Sequence, residues 1–167
     1  MTGYNRRDTP PPRPDGDRQD ADPCGAAVPP RRRLNVLFAT AHPHLPQIAG
    51  GLQSSTQETM RLLAERGHET RLLCGLTGAG LLGLRHRLTL KLHRRRTGMD
   101  RATGHLTYRA WQTAEPAALT EVRDHFHPDV VVAQGGGAVR LAGVCGSLDL
   151  PALIHFRNVE FTGLKVA

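Results

Sequence analysis

Short apolar runs alternate with stretches of helical periodicity along most of this chain, and this alternation constrains the fold more than any other feature. The runs are "LNVLFAT" from Leu34, "ETRLLCG" from Glu69, "HLTYRAW" from His105, "DVVVAQ" from Asp129 and "PALIHF" from Pro151. Each has the length of a strand, and runs as apolar as the fourth are typical of strands buried on both faces. The sequence therefore predicts five strands.

The segments between these runs have the spacing of helices. Apolar positions recur at helical intervals in four stretches: from Leu52 to the stop at Gly67, from Leu81 to Leu92, from Leu119 to Phe126, and from Ala138 to Ser147. Residues 41–49 contain two prolines and are predicted to be loop. Alternating strands and helices imply a parallel, doubly wound sheet with right-handed crossovers. The expected fold class is therefore α/β and Rossmann-like.

The first 33 residues differ in composition from the rest. They are dominated by Pro, Arg, Asp and Gly and contain too little apolar surface to fold, so residues 1–33 are predicted to be a disordered tail and residues 34–167 the domain. No run approaches the roughly 20 apolar residues of a membrane-spanning helix, and the N-terminus lacks the apolar region of a signal peptide. Three widely spaced cysteines without a CxxC pair favour a reducing cytoplasm over a disulfide framework.

Polar residues and glycines cluster where the predicted strands end. His42, Gly50 and Gly51 follow the first strand, and Gln134 closes the fourth strand before the glycines at 135–137. His155 ends the fifth strand. Ligands of doubly wound sheets bind at the carboxyl ends of the strands, where glycines leave amide groups open beside helix N-termini. The sequence therefore predicts a site for a phosphate or another polar ligand at this edge.

These patterns resemble the family 4 glycosyltransferases of GT-B architecture. The likeness covers residues 34–161 and consists of a glycine pair that opens a helix, the segment "LLAERGHETRLL", and the strands "HPDVVVAQ" and "LPALIHFRNVEF". The resemblance implies transfer of a sugar from a nucleotide-sugar donor to an acceptor hydroxyl, without an obligatory metal or other cofactor. It also implies that this chain is the acceptor-side N-terminal domain. The expected acceptor is a glycan, a lipid-linked molecule or a small molecule.

The resemblance also assigns roles to residues. Gly50, Gly51 and Leu52 correspond to the loop that approaches the donor phosphates. The acceptor-side cleft is expected to include His42, Gln134, Gly135, Gly136 and Asn158. Family members often carry a histidine after the fifth strand at the position of Arg157, so His155 and Arg157 are the catalytic candidates.

Two departures from the family pattern stand out. Gln134 and three glycines replace the histidines that many members carry at the end of the fourth strand. The sequence also ends soon after the fifth strand, before any donor-binding domain, so we expect an incomplete GT-B protein that is inactive by itself.

Plainer interpretations exist for the same residues. The glycine pair could be a flexible helix entry, the glycines at 135–137 a tight turn, and His68 part of the turn between helix and strand.

A dinucleotide-dependent oxidoreductase is disfavoured because no GxGxxG follows the first strand, and Cys74 and Gly75 stand where an acid would end the second strand. A non-catalytic nucleotide- or membrane-binding module remains the alternative. No metal site is expected, because His42 and His44 lack further ligands.

The positive charge is concentrated in one helix. The chain carries a net charge of +7, and one stretch of twelve residues holds six cations and no acid: Arg85, Arg87, Lys91, Arg94, Arg95 and Arg96. Leucines on another face of this helix match an interfacial helix that contacts anionic lipid on the inner face of the cell membrane. A solvated charged face is the alternative. Nucleic acid is disfavoured as a partner because no aromatic residues are interleaved.

Overall fold

The structure is a computed structural model that describes residues 32–156 of the 167. In chain order its elements are β1 (Asn35–Pro43), α1 (Gly51–Glu65), β2 (Glu69–Gly75), α2 (Gly80–His93), β3 (Gly98–Asp100), β4 (Thr107–Ala110), α3 (Pro116–Phe126), β5 (Val130–Gln134), α4 (Ala138–Ser147) and β6 (Ala152–His155). The five predicted strands and four predicted helices are all present. The tail predicted at residues 1–33 falls almost wholly outside the described residues.

The strands form one mostly parallel sheet in the order β3-β4-β2-β1-β5-β6. All neighbours pair in parallel except β3, which pairs antiparallel with β4. Without β3, the order is that of a doubly wound sheet that starts at its centre and winds outward in both directions. The predicted α/β, Rossmann-like class is confirmed, whereas β3 was not predicted.

Side chains of the central strand alternate between two apolar cores, one on each face of the sheet. Val36 and Phe38 pack on one face with Met60 of α1, and Leu37 and Ala39 pack on the other. The second core is completed by residues of α3 and α4, among them Leu119, Val122, Leu141 and Cys145. Full burial of each large side chain stabilises the fold by about 1.5–3 kcal/mol. The nearly continuous apolar runs thus reflect burial on both faces.

The first strand continues past its predicted end. It reaches Pro43, so the prediction of loop from residue 41 is wrong for residues 41–43. The pairing of β1 with β2 shifts register between Ala39 and Pro43, and Pro43 pairs with Gly75. A proline is tolerated there because the last residue of an irregular strand has no ladder bond that requires its missing N–H.

The turn after α1 is structural, as predicted for His68. Gly67 adopts the left-handed conformation (φ 87°), and its N–H donates to the carbonyl oxygen of Ala64 at 2.9 Å. The ring Nδ1 of His68 accepts a hydrogen bond from the N–H of Leu34 at 3.2 Å. This histidine therefore ties the end of α1 to the start of β1, opposite the carboxyl edge of the sheet.

The last described strand, β6, is largely exposed. Residues 152–155 pair with β5 in parallel, but three of the four are exposed. Because β6 has a strand on one side only within the described part of the sheet, its side chains meet few neighbours. The predicted strand is confirmed, and unlike β5 it is largely exposed.

Candidate functional site

The centre of the site is the point where the sheet reverses its winding. β1 and β5 are neighbours, yet the chain leaves β1 toward β2 and leaves β5 toward β6, so α1 and α4 pack on opposite faces. A cavity of about 1200 Å³ opens at the carboxyl ends of these strands, and we call it the switch-point cavity. The described residues that line it are His42, Gly51, Leu52, Ser55, Gly135, Gly136, Gly137, Ala138, Val139, Arg140 and Phe156.

The N-terminus of α1 forms one wall of this cavity. Gly50 precedes the helix in an extended conformation, and no side chain of the described residues caps the N–H groups of the first turn. A Cβ atom added to Gly51 would meet no atom within 4 Å. The first amide groups of α1 are therefore accessible from the cavity, and the positive end of the helix dipole lies beside them.

The turn from β5 into α4 forms the opposite wall. Gly135 has φ 77°, which disfavours any residue with a side chain. A Cβ atom on Gly136 would lie 3.2 Å from Nε2 of His42, and one on Gly137 would lie 2.7 Å from Cβ of Ala41. Glycine is thus required here by backbone conformation and by close approach to β1. This tight turn brings the start of α4 against the end of β1.

The first turn of α4 is also open and carries a cation. Its N-cap is Gly137, and no described side chain caps its N–H groups. Arg140, in the first turn, is exposed and lines the cavity, and none of the described lining residues is acidic. Two helix N-termini and one guanidinium group therefore face the same space, an arrangement that favours an anion.

A buried polar contact lies next to the cavity. Gln134 is fully buried, and its Oε1 accepts a hydrogen bond from the hydroxyl of Thr56 at 3.2 Å. Its Nε2 has no partner among the described residues. Gln134 therefore links β5 to α1 in the interior next to the cavity. It does not line the cavity, although the sequence predicted it as a cleft residue.

A buried ionic network holds the loop that follows β1. Arg109 of β4 is fully buried, and its Nε donates to Asp100 Oδ2 at 2.6 Å, while Nη2 donates to the carbonyl oxygen of Leu45 at 2.6 Å. His86 Nε2 lies 3.1 Å from the same Asp100 oxygen. Burial opposes ionisation of Asp100, but its hydrogen bonds with His86 and Arg109 outweigh this and hold its pKa well below the usual range.

Sequence reasoning did not identify this network. The one sequence feature that could have indicated the network is Arg109, a single arginine within an otherwise strand-like run. An arginine at a buried strand position requires an anionic partner, and Asp100 is nine residues earlier in the chain. The network positions the residues after β1 without lining the cavity.

The structure brings most of the predicted site residues together. His42, Gly51, Leu52, Gly135 and Gly136 all line the switch-point cavity. Gly50 is the adjacent N-cap residue, and Gln134 lies beneath.

The catalytic candidates from the fifth predicted strand have a different outcome. His155 is exposed at the end of β6 and pairs with Gln134, but Phe156 is the described residue of this segment that lines the cavity. Arg157 and Asn158 lie outside the described residues. Sequence reasoning missed Ser55, Arg140 and Phe156. Arg140 could have been found as a first-turn residue of α4, and Ser55 as the residue four positions after Gly51 on the same face of α1.

The described residues contain no group of three or more His, Cys, Asp or Glu side chains that could hold a metal ion. No protein-family model matches the sequence. No curated protein is detectably similar to it, and no solved structure matches it.

Proposed function

We propose that this chain is the acceptor-side domain of a GT-B glycosyltransferase and that the switch-point cavity receives the diphosphate of a nucleotide-sugar donor. The observation that carries the proposal is the convergence of two uncapped helix N-termini, those of α1 and α4, on one cavity whose described lining contains Arg140 and no acid. A diphosphate carries charge enough to engage both helix ends at once.

The size and the lining of the cavity suit a ligand larger than a phosphate. Its volume of about 1200 Å³ leaves room for a nucleoside and a sugar on either side of a diphosphate. Leu52, Val139 and Phe156 supply apolar surface, and Ser55 and His42 supply hydrogen-bonding groups. Apolar walls with a few polar groups are typical of small-molecule sites.

The end of β2 argues against a dinucleotide oxidoreductase. Such enzymes bind the ribose through an acidic residue at this place. Here Cys74 is fully buried, and a Cβ on Gly75 would lie 2.5 Å from the carbonyl oxygen of Ala41. The backbone of β1 therefore occupies the space that an acidic side chain would need. This packing supports a nucleotide-sugar ligand over a nicotinamide dinucleotide.

Calorimetric titration with uridine and guanosine diphosphates and their sugars tests the proposal. We expect saturable binding of at least one nucleotide sugar. Gly51→Asp should weaken it about tenfold or more, since a carboxylate at the first helical position repels the diphosphate. The same carboxylate suits the helix dipole, so the melting temperature should not fall.

Gly143→Asp is the matched control, because Gly143 is exposed on α4, outside the cavity lining, and its Cβ would also point into open space. Failure of every nucleotide and nucleotide sugar to bind would refute the assignment of the diphosphate to the switch-point cavity. Binding of nucleoside diphosphates with no gain from the sugar would favour the non-catalytic nucleotide-binding alternative.

A further inference from the structure

The outer face of α2 is a stripe of four leucines, each more than half exposed in the described structure. Leu81, Leu84, Leu88 and Leu92 follow one another at helical spacing and are 87%, 52%, 54% and 75% exposed. The buried residues of the same helix are Gly83, His86 and Leu90. At 100° per residue, the two sets lie about 180° apart around the helix axis. The leucine stripe therefore faces directly away from the protein.

Cations border this stripe on both sides. By the same helical geometry, Arg85 lies on one flank and Lys91 on the other, and both are exposed. Arg94, Arg95 and Arg96 follow the helix and are exposed as well. The segment 80–96 contains no acidic residue. Long basic side chains beside an apolar stripe can lie along a bilayer and reach lipid phosphates while the leucines enter it.

An aromatic residue lies beside the end of this segment. Trp111 is 53% exposed and shares a small surface depression with Arg95 and Arg96. Tryptophan favours the boundary between lipid and water, because its ring is apolar and its N–H is polar. The same depression contains Glu115, whose Oε1 lies 3.7 Å from Nη1 of Arg96. Trp111 therefore extends the apolar surface beyond α2, while Arg94 and Arg95 carry the cationic character of this end.

We infer that the outer face of α2, together with Trp111, docks peripherally on an anionic lipid bilayer. Charge complementarity selects this partner over a second copy of the chain, because two such faces would place their cations against one another. No helix in the described region is long and apolar enough to cross a membrane. The inference stands on α2 and does not depend on the proposed ligand of the switch-point cavity.

Vesicle binding of the full chain tests this inference. We expect cosedimentation with phosphatidylcholine vesicles that contain phosphatidylglycerol, weak binding to pure phosphatidylcholine, and a loss of binding at high salt. Trp111 is the single tryptophan of the chain, so a blue shift of its fluorescence reports its own transfer toward lipid. An unchanged emission with full cosedimentation would exclude Trp111 from the contact.

Two double variants separate the apolar and the electrostatic contributions to vesicle binding. Leu84→Ser with Leu88→Ser, and Arg85→Glu with Lys91→Glu, should each lower partitioning about tenfold or more. Both pairs are exposed, so folding should persist. Leu62→Ser on α1 and Arg123→Glu on α3 are controls of the same chemistry at other partly exposed positions. Equal partitioning of all variants would overturn the inference, as would a leucine-dependent dimer that binds no vesicles.

Discussion

Acidification should destabilise this protein through one buried histidine. The side chain of His44 is 1% exposed, and neither ring nitrogen has a hydrogen-bond partner among residues 32–156. Burial, with the nearby positive charge of Arg109, lowers the pKa of His44 to about 4. Histidine in an unfolded chain has a pKa of about 6.5. Between these values the unfolded state binds more protons, so the free energy of unfolding falls as the pH falls.

The size of the effect follows from the two pKa values. The contribution of His44 is fully present above pH 6.5 and is lost progressively as the pH falls toward 4. Integrating the difference in proton binding from pH 7.5 to pH 5 gives a loss of about 2 kcal/mol. At pH 5, Asp100 is ionised in both states, because its folded pKa is lowered from an already acidic value, and it adds little to this loss.

Urea unfolding of the wild type, His44→Leu and His44→Gln at both pH values measures this loss. Neither variant titrates at residue 44, so each should lose about 2 kcal/mol less than the wild type between pH 7.5 and pH 5. Leucine also removes two unpaired polar atoms, whereas glutamine retains polar atoms, so the variants should differ in absolute stability. Burial also lowers the pKa of His105, but His105 is common to all three proteins. An equal loss in all three would refute the assignment to His44.

Two further predictions concern other buried groups. Asp100→Asn should lower the free energy of unfolding by about 3–5 kcal/mol, because it leaves the guanidinium of Arg109 buried without its anion. The control Asp124→Asn removes an exposed carboxylate, and urea denaturation should find a change within about 0.5 kcal/mol. Burial raises the pKa of Cys74 to about 12, so mass spectrometry should find it unreactive to iodoacetamide at pH 8 in the native protein and alkylated in urea. Alkylation at equal rates in both states would contradict its burial.

Elements with a local signal could be predicted from the sequence. The strands and helices of the doubly wound fold are indicated by apolar runs and by helical spacing, and each of these signals lies within one short segment of the chain. β3 has no such signal, because "GMD" contains one apolar residue. Its pairing depends on β4 and on the contact of Asp100 with His86 and Arg109, which come from two other elements. Tertiary contacts thus determine this strand, and sequence periodicity cannot identify it.

The site could be predicted at its glycines and less well at its side chains. Gly51 and Gly135 mark helix entries, so their place at the carboxyl edge follows from element order. Side-chain direction is harder, because successive residues of a strand point to opposite sides. The sequence predicted His155 and Arg157 as the catalytic candidates; Phe156 lines the cavity and His155 does not, while Arg157 lies outside the described residues. Phe156 is the first residue after β6, so a difference of one residue separates the exposed strand end from the cavity lining.

The switch-point cavity and the outer face of α2 belong to the same edge of the sheet. α2 begins five residues after the carboxyl end of β2, and Gly98, just beyond its basic segment, pairs with Arg109 near the carboxyl end of β4. If both proposals hold, a bilayer lies on the side where the cavity opens, so that a lipid-linked acceptor would reach the cavity from the bilayer and the proposed nucleotide-sugar donor from water. The two surfaces share no residue, so Gly51→Asp should leave vesicle partitioning unchanged, and Leu84→Ser with Leu88→Ser should leave nucleotide affinity unchanged. Loss of both vesicle binding and nucleotide binding in either variant would show instead that the fold had been damaged.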